Sequence, residues 1–452
     1  MTINTDFGET EADARQTNLT RFDVLFPEKR AFFLEGADIF EFGSGLDVDG
    51  ATVIPFFSRT IGLYTPEGED EGTVVPLRGG GKLQGRIGNT NVGALAVATD
   101  RVKSFGVPKT EMGAVRIRQN VLLGVIGTFG DPLNRTRSWL GGADFTYRTS
   151  QFQEDKNLVA GIWGLATDRR KSRGDRGAYG GNIAYPNDEL DAGMTFFHVG
   201  RDFKPSLGFV QRAGQVFDAS ADYTVRPGAP VRQVKFGGGY FEVRNPNGRW
   251  ESYALSAKPL DLTFESGDRL QLEFSPEGER LKESFDIFDS PAKTVEIRAG
   301  QYDWKRWTSR GTLAPARQIS GEIAYSIGGF YGGHLRTVEA SVILKPLSIL
   351  TLQLTSERNM ATLEPTGFTQ FLHGLHAELK LSPEFQVTHF LQYDNESRSL
   401  GSASRLRWTF HPLGDLFVAY NHNMTRSVQQ TRKRWEFASD QLLMKVQYSL
   451  RW

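Results

Sequence analysis

From about residue 75 to the C-terminus, apolar and polar positions alternate in runs of roughly 9 to 14 residues, each bounded by turn formers, the segment length of a tilted membrane strand. Leu350, Leu352 and Leu354 alternate with Thr351, Gln353 and Thr355; Val338, Ala340, Val342 and Leu344 alternate with Thr337, Glu339 and Ser341. The same period of two runs through Leu270, Leu272 and Phe274 and through Leu406, Trp408 and Phe410. Because side chains of a strand take opposite faces in turn, each run predicts a strand with one apolar face.

A soluble β-sandwich alternates as well, so three further features separate the two readings. The polar faces carry charge repeatedly, at Arg116 and Arg118, Lys235, Glu273, Glu296 and Arg298, Glu339, and Arg405 and Arg407. A packed sandwich core excludes such charge, whereas the interior of a wide barrel accepts it. All eight tryptophans fall in the alternating part, several near segment ends, where an interfacial aromatic girdle would lie. The chain then closes on Met444, Val446, Tyr448, Leu450 and Trp452, an apolar stripe interleaved with Lys445, Gln447, Ser449 and Arg451. That stripe resembles the terminal targeting strand read by the barrel-assembly machinery of bacterial outer membranes.

Composition narrows the class. Only 39% of the 452 residues are apolar, which is low for a chain that would bury one large compact core. No window supplies the ~18 to 20 uncharged apolar residues of a spanning helix, so a helical membrane protein is excluded. The 53 basic residues balance the 53 acidic ones, which argues against a nucleic-acid partner. The absence of cysteine excludes disulfides and thiolate metal sites and suits an oxidising envelope compartment. Met1 opens into polar sequence without a charged or apolar leader, so the expectation for an exported form is a signal peptide, with or without a further domain, lost upstream.

Residues 1 to 74 differ in kind. The first 50 residues hold 11 acidic and 4 basic side chains. Their acids, among them Asp6, Glu9, Glu11, Asp13, Asp38, Asp47 and Asp49, could offer oxygen ligands to calcium, but no loop has EF-hand spacing, and pairing with arginine and lysine is the simpler expectation. The block from Pro27 to Glu35 joins Phe32, Phe33 and Leu34 to Glu28, Lys29, Arg30 and Glu35, apolar contacts beside charge pairs. It reads as a plug or gate element docked beneath a barrel mouth. His373 and His376 would face opposite sides of a strand and cannot share a metal. Gly79 to Gly85 lacks the glycine spacing of a phosphate loop and reads as a bend in an early strand. No nucleophile elbow or zinc-protease motif is present, and no cofactor is implied.

Several stretches also carry a family likeness. Asn4 to Phe7, Asn18 to Phe22, Phe26 to Glu35 and Ser58 to Gly62, followed by Gly208 to Arg212, Gly328 to Gly333, Arg405 to Trp408 and Asp415 to Asn421, resemble an uncharacterised family of bacterial outer-membrane β-barrels. Its members often carry an N-terminal carbohydrate-binding module of the family-nine type, which this sequence lacks. The resemblance implies location in the outer membrane, contact with its lipid and assembly by its barrel machinery, and it raises carbohydrate as a cargo.

The expected protein is therefore all-β: a transmembrane antiparallel barrel of about 20 strands (18 to 22) over residues 75 to 452, preceded by a plug or periplasmic-side segment over 1 to 74. The expected function is that of a channel, receptor or transport conduit. Plug residues would be Glu28, Lys29, Arg30, Phe32, Phe33 and Glu35, and lumen charges Arg116, Arg118, Arg405 and Arg407. A barrel-borne glycan hydrolase or lipid-modifying enzyme, and a sealed structural or adhesive scaffold, are the alternatives.

Overall fold

The computed structural model of the chain describes residues 2–5, 14–48, 50–64, 73–103, 106–119, 122–132, 137–169, 173–426 and 434–448. Strands dominate. Helix is confined, among the described residues, to a single turn at Ala31–Leu34 and to 3-10 turns at Ala37–Phe40 and Ser58–Thr60. One antiparallel sheet gathers 22 strands. Twenty-one of them lie from Leu77 onward, and the short Thr2–Thr5 adds the last by pairing with Leu77–Gly80. The all-β, antiparallel organisation is the one the alternation predicts.

The chain divides into two compact units. In the first, Leu77–Ile87, Thr90–Thr99, Thr110–Gln119, Leu123–Phe129, Ser138–Phe152, Lys156–Arg169, Gly177–Pro186 and Leu190–Val199 pair in sequence order. In the second, the ladder runs in order from Arg269–Leu281 through Gly300–Leu313, Ile319–Phe330 and Gly333–Leu347 to Trp435–Tyr448. Connections in the first unit alternate in length. Among the described residues, 88–89, 153–155 and 187–189 are tight turns, while 200–213 is a longer connection, and the strand bounds leave gaps of alternately short and long sequence between them. At a tight turn in the second unit, Tyr331 and Gly332 both take positive φ, 43° and 82°, the handedness that matches a two-residue hairpin to twisted strands.

The two faces of the sheet differ chemically. In the first unit one face is covered by the N-terminal residues: Phe42, Leu46, Val48, Ala51 and Val53 pack against Ile126, Leu140, Trp163, Leu165 and Phe197. Phe33 and Ile61 form a neighbouring cluster with Leu77, Leu95, Val97, Met112 and Leu207. The other face is apolar and open: Leu123, Phe145, Ile162 and Phe196 fall on one register row, and all are exposed. In the second unit, a row from Leu350 through Leu379, Val387, Leu406 and Val418 ends at Met444, which is 70% exposed. On the opposite face, polar side chains are buried beside apolar ones: Thr337 donates to Asn359 at 2.8 Å, and Asn359 donates to Gln370 at 3.3 Å. Unlike a soluble sheet, which turns its apolar face inward, this one leaves an apolar face open in both units and buries charged and amide side chains together with apolar ones on the covered faces.

Part of that second covered face is filled by a hairpin, Phe285–Ser290 with Lys293–Ile297. Its Ile287, Phe288, Val295 and Ile297 pack with Leu335, Leu363 and Phe368. Leu335 has no exposed surface. Replacing it with alanine is expected to cost about 2–5 kcal/mol, cavity included. A urea unfolding curve followed by circular dichroism measures the change.

Candidate functional site: the docked N-terminal segment

The segment from residue 14 to 64 has little regular structure, so its backbone polar groups must find partners elsewhere. Charged side chains supply many of them. Glu28 accepts from the Nε and terminal nitrogen of Arg30 at 2.8 and 2.6 Å, from the backbone N–H groups of Lys29 and Arg30 at 3.0 and 2.9 Å, and from the Ser58 hydroxyl at 2.7 Å. Arg30 spends its remaining donors on the carbonyls of Ile61 and Ser58, at 2.7 and 2.8 Å, and lies 4.2 Å over the Phe33 ring. Burial raises the Glu28 pKa, but the Arg30 hydrogen bonds and charge, with Ser58, outweigh it and hold the carboxyl below its ordinary value. This pair folds residues 28–30 onto 58–61 and so closes the segment on itself.

Two cations of the sheet hold the segment from below. Lys82, in Leu77–Ile87, donates to the carbonyls of Phe32, at 2.8 Å, and Glu35, and lies 5.5 Å from the Phe32 ring centre. Phe32 meets Phe33 edge to face at 5.1 Å. The Glu35 carboxylate is 3.7 Å from Lys82 yet largely exposed. Arg116, in Thr110–Gln119, is completely buried. It donates to both carboxylate oxygens of Asp144, the second at 2.9 Å, and its Nε donates to the Glu41 carbonyl at 3.0 Å. Phe42 lies 5.0 Å from the guanidinium, and the Gly43 N–H donates to Asp144 at 3.2 Å. Gly124 makes this possible, because a Cβ there would stand 2.5 Å from the Arg116 guanidinium. Further along, Ser44 donates to Asn182 at 2.5 Å, and Ala51–Ile54 pairs as a strand with Phe209–Val210.

Residues 14–24 belong to the second unit and bind its covered face in the same manner. The Arg15 N–H donates to the Gln392 side chain at 2.7 Å, and the Gln392 amide donates back to the Arg15 carbonyl at 3.0 Å, a side-chain imitation of a ladder rung. The Arg15 guanidinium is 3.4 Å from Asp394, Thr17 donates to Glu357, and Arg21 meets Glu279 at 3.3 Å. Leu19 packs against the hairpin cluster.

Of the residues singled out in the sequence, Glu28, Lys29, Arg30, Phe32 and Phe33 meet in one network, with Glu35 at its edge. Arg116 reaches the same segment at Glu41, and Arg118 shares its strand, its Nε shut from solvent with no acceptor among the described residues. Arg405 and Arg407 lie in the other unit, in Ser399–His411, where Arg407 pairs with Asp415 at 3.2 Å. Met444, Val446 and Tyr448 are exposed along Trp435–Tyr448, while Leu450 and Trp452 lie outside the described residues. So do Asp6, Glu9, Glu11, Asp13 and Asp49; among the described residues no cluster of three or more acids or histidines is placed to hold a metal. Sequence reasoning missed Asp144, Lys82 and Gln392. Asp144 had a signal, an acid in a strand between apolar neighbours, but its partner could be found only from register.

Two expected outcomes follow from this geometry. Asp144→Asn leaves the Arg116 charge buried without its carboxylate, a loss of about 3–5 kcal/mol by analogy with broken buried pairs. Faster trypsin cleavage at Arg59 and Arg30 checks it. For Glu28, whose folded pKa is depressed, the stabilisation is present above the ordinary 4.5 and is lost as pH falls below it through the folded value. Hydrogen exchange of residues 28–61 should therefore quicken below pH 4.5, and Glu28→Gln should remove that dependence.

Among known families, the model of a domain of unknown function (DUF5916) matches residues 1–72, the stretch that supplies the docked segment. No curated protein matches the chain.

Proposed function

We propose that the 22-stranded sheet closes into a bacterial outer-membrane β-barrel that works as a channel, receptor or transport conduit, with residues 14–64 as a plug on its inner face. The observation that carries this reading is the open apolar face of each unit, set opposite a covered face that buries charge and amides. Large apolar side chains such as Leu442, 72% exposed, and Ile323, 58% exposed, stand outward, while Arg116, Asn359 and Gln370 are buried. In water such an outward surface would be an aggregation hazard far beyond the patch size that soluble monomers tolerate. Against lipid it is the stable face, and a polar interior is the rule for membrane barrels. Closure is also what hydrocarbon demands of a sheet, since an open edge leaves backbone groups without partners.

The alternation of tight turns and longer loops supports the same reading, being the asymmetry of periplasmic turns and extracellular loops. Lipid of the outer membrane and the barrel-assembly machinery are then the partners, the latter through the apolar stripe that begins at Met444. A sealed scaffold is the second reading, favoured by one observation: the segment is held by fully buried charge at Arg116, a contact not made for easy release.

Ile323→Arg and Met444→Arg separate membrane from water. On a water-exposed surface both changes are close to neutral in stability. On a lipid-facing strand near the bilayer midplane each is expected to cost about 2–4 kcal/mol and to reduce insertion into vesicles. Unimpaired insertion, or protein that stays soluble without detergent, sinks the proposal. Planar-bilayer conductance then distinguishes conduit from scaffold, with current expected to rise in Asp144→Asn if the segment is a plug.

A further inference from the structure

The covered face of the second unit holds a depression built by small residues. The strand Ser399–His411 places Gly401 and Ala403 in succession on that face. Phe390 pairs with Ala403 and Gln392 with Gly401 on one side; Asn421 and Asn423 pair with the same two residues on the other. One strand further, Gln441 stands opposite Asn421 and Ser439 opposite Asn423. Arg15 crosses one end through its rung with Gln392. The cavity so formed is about 360 Å³, within the size of ordinary small-molecule sites.

We propose that this cavity binds a small, neutral, polyhydroxylated solute. Its chemistry is uncharged: among the described residues Arg15 is the one charged side chain that lines it, and it is already matched by Asp394. A charged ligand would shed hydration and gain no counter-ion. The amides are arranged in pairs that leave one function spare. Asn421 donates to Gln441 at 3.4 Å, so the Gln441 amide N–H groups stay available, and Asn423 donates to Ser439 at 3.0 Å, so its carbonyl stays available. The Asn421 carbonyl oxygen also lacks a donor among the described residues. Spare donor and spare acceptor on adjacent rows suit neighbouring hydroxyls, each of which gives one hydrogen bond and takes another. Phe390 supplies an apolar wall for the C–H face of such a solute. The site deepens the conduit reading by naming its cargo class, and it rests on that reading only for its role in transport.

The test uses the full chain in detergent and equilibrium dialysis with maltose as probe, with sodium gluconate and the dipeptide glycyl-glutamine as comparators. Saturable maltose binding is expected, with the comparators at least about tenfold weaker. In the double variant Asn423→Leu, Gln441→Leu, two lost neutral hydrogen bonds should weaken maltose about tenfold. Ala403→Phe, which fills the floor and leaves the amides in place, should do the same and serves where the double variant loses its strand signal. Absence of saturable maltose binding, equal binding by both variants, or preference for gluconate or the dipeptide overturns the proposal. Vesicle insertion is scored on the same preparations. Insertion without maltose binding sinks the site alone, and maltose binding without insertion sinks the membrane reading while leaving the site.

Discussion

Most polar groups on the covered faces of this sheet are answered by other polar groups, and that requirement shapes the rest of the molecule. The pleat sends alternate side chains to opposite faces. Once one face is given to Leu123, Phe145, Ile162 and Phe196, the other must receive the charges and amides that lie between them. A buried polar group without a partner costs more than a hydrogen bond returns. The covered face is consequently laced by pairs such as Arg116 with Asp144 and Thr337 with Asn359, and the N-terminal segment supplies backbone carbonyls where strands cannot.

Seen this way, the docked segment and the sheet solve each other's problem. A stretch with almost no helix or ladder of its own carries many unsatisfied carbonyls. Lys82 and Arg116 carry more donors than their strand neighbours can use. The match at Phe32, Glu35 and Glu41 satisfies both at once. Arg30 and Glu28 do the same within the segment, which is why this charged pair sits among Phe33, Ser58 and Ile61 instead of in open solvent.

The strand pattern was legible because period-two alternation is local. Residues 337–344 and 350–355 stand out in the sequence, and the strands Gly333–Leu347 and Leu350–Thr362 cover them. The importance of Pro27 to Glu35 was also legible, since so many aromatic and charged groups fall within nine positions. What could not be read was pairing across distance. Nothing local joins Arg116 to Asp144 or Arg15 to Gln392, 377 positions apart. The hairpin at Phe285–Ile297 escaped for another reason: its alternation is that of a strand pair, and only packing against Leu335 and Phe368 distinguishes it from a strand of the large sheet. Gly401 and Ala403 look unremarkable until register sets them beside Asn421 and Asn423.

The Arg15 rung has a mechanical meaning. Two parallel hydrogen bonds between one residue's backbone and one glutamine side chain open one after the other when the chain is peeled, whereas the Arg116 cage must lose its carboxylate pair and the Glu41 carbonyl together. Tension entering from the amino end would therefore meet a soft fastening first and a brittle one later. A force–extension trace of such a segment would carry a low shoulder ahead of a single tall rupture peak.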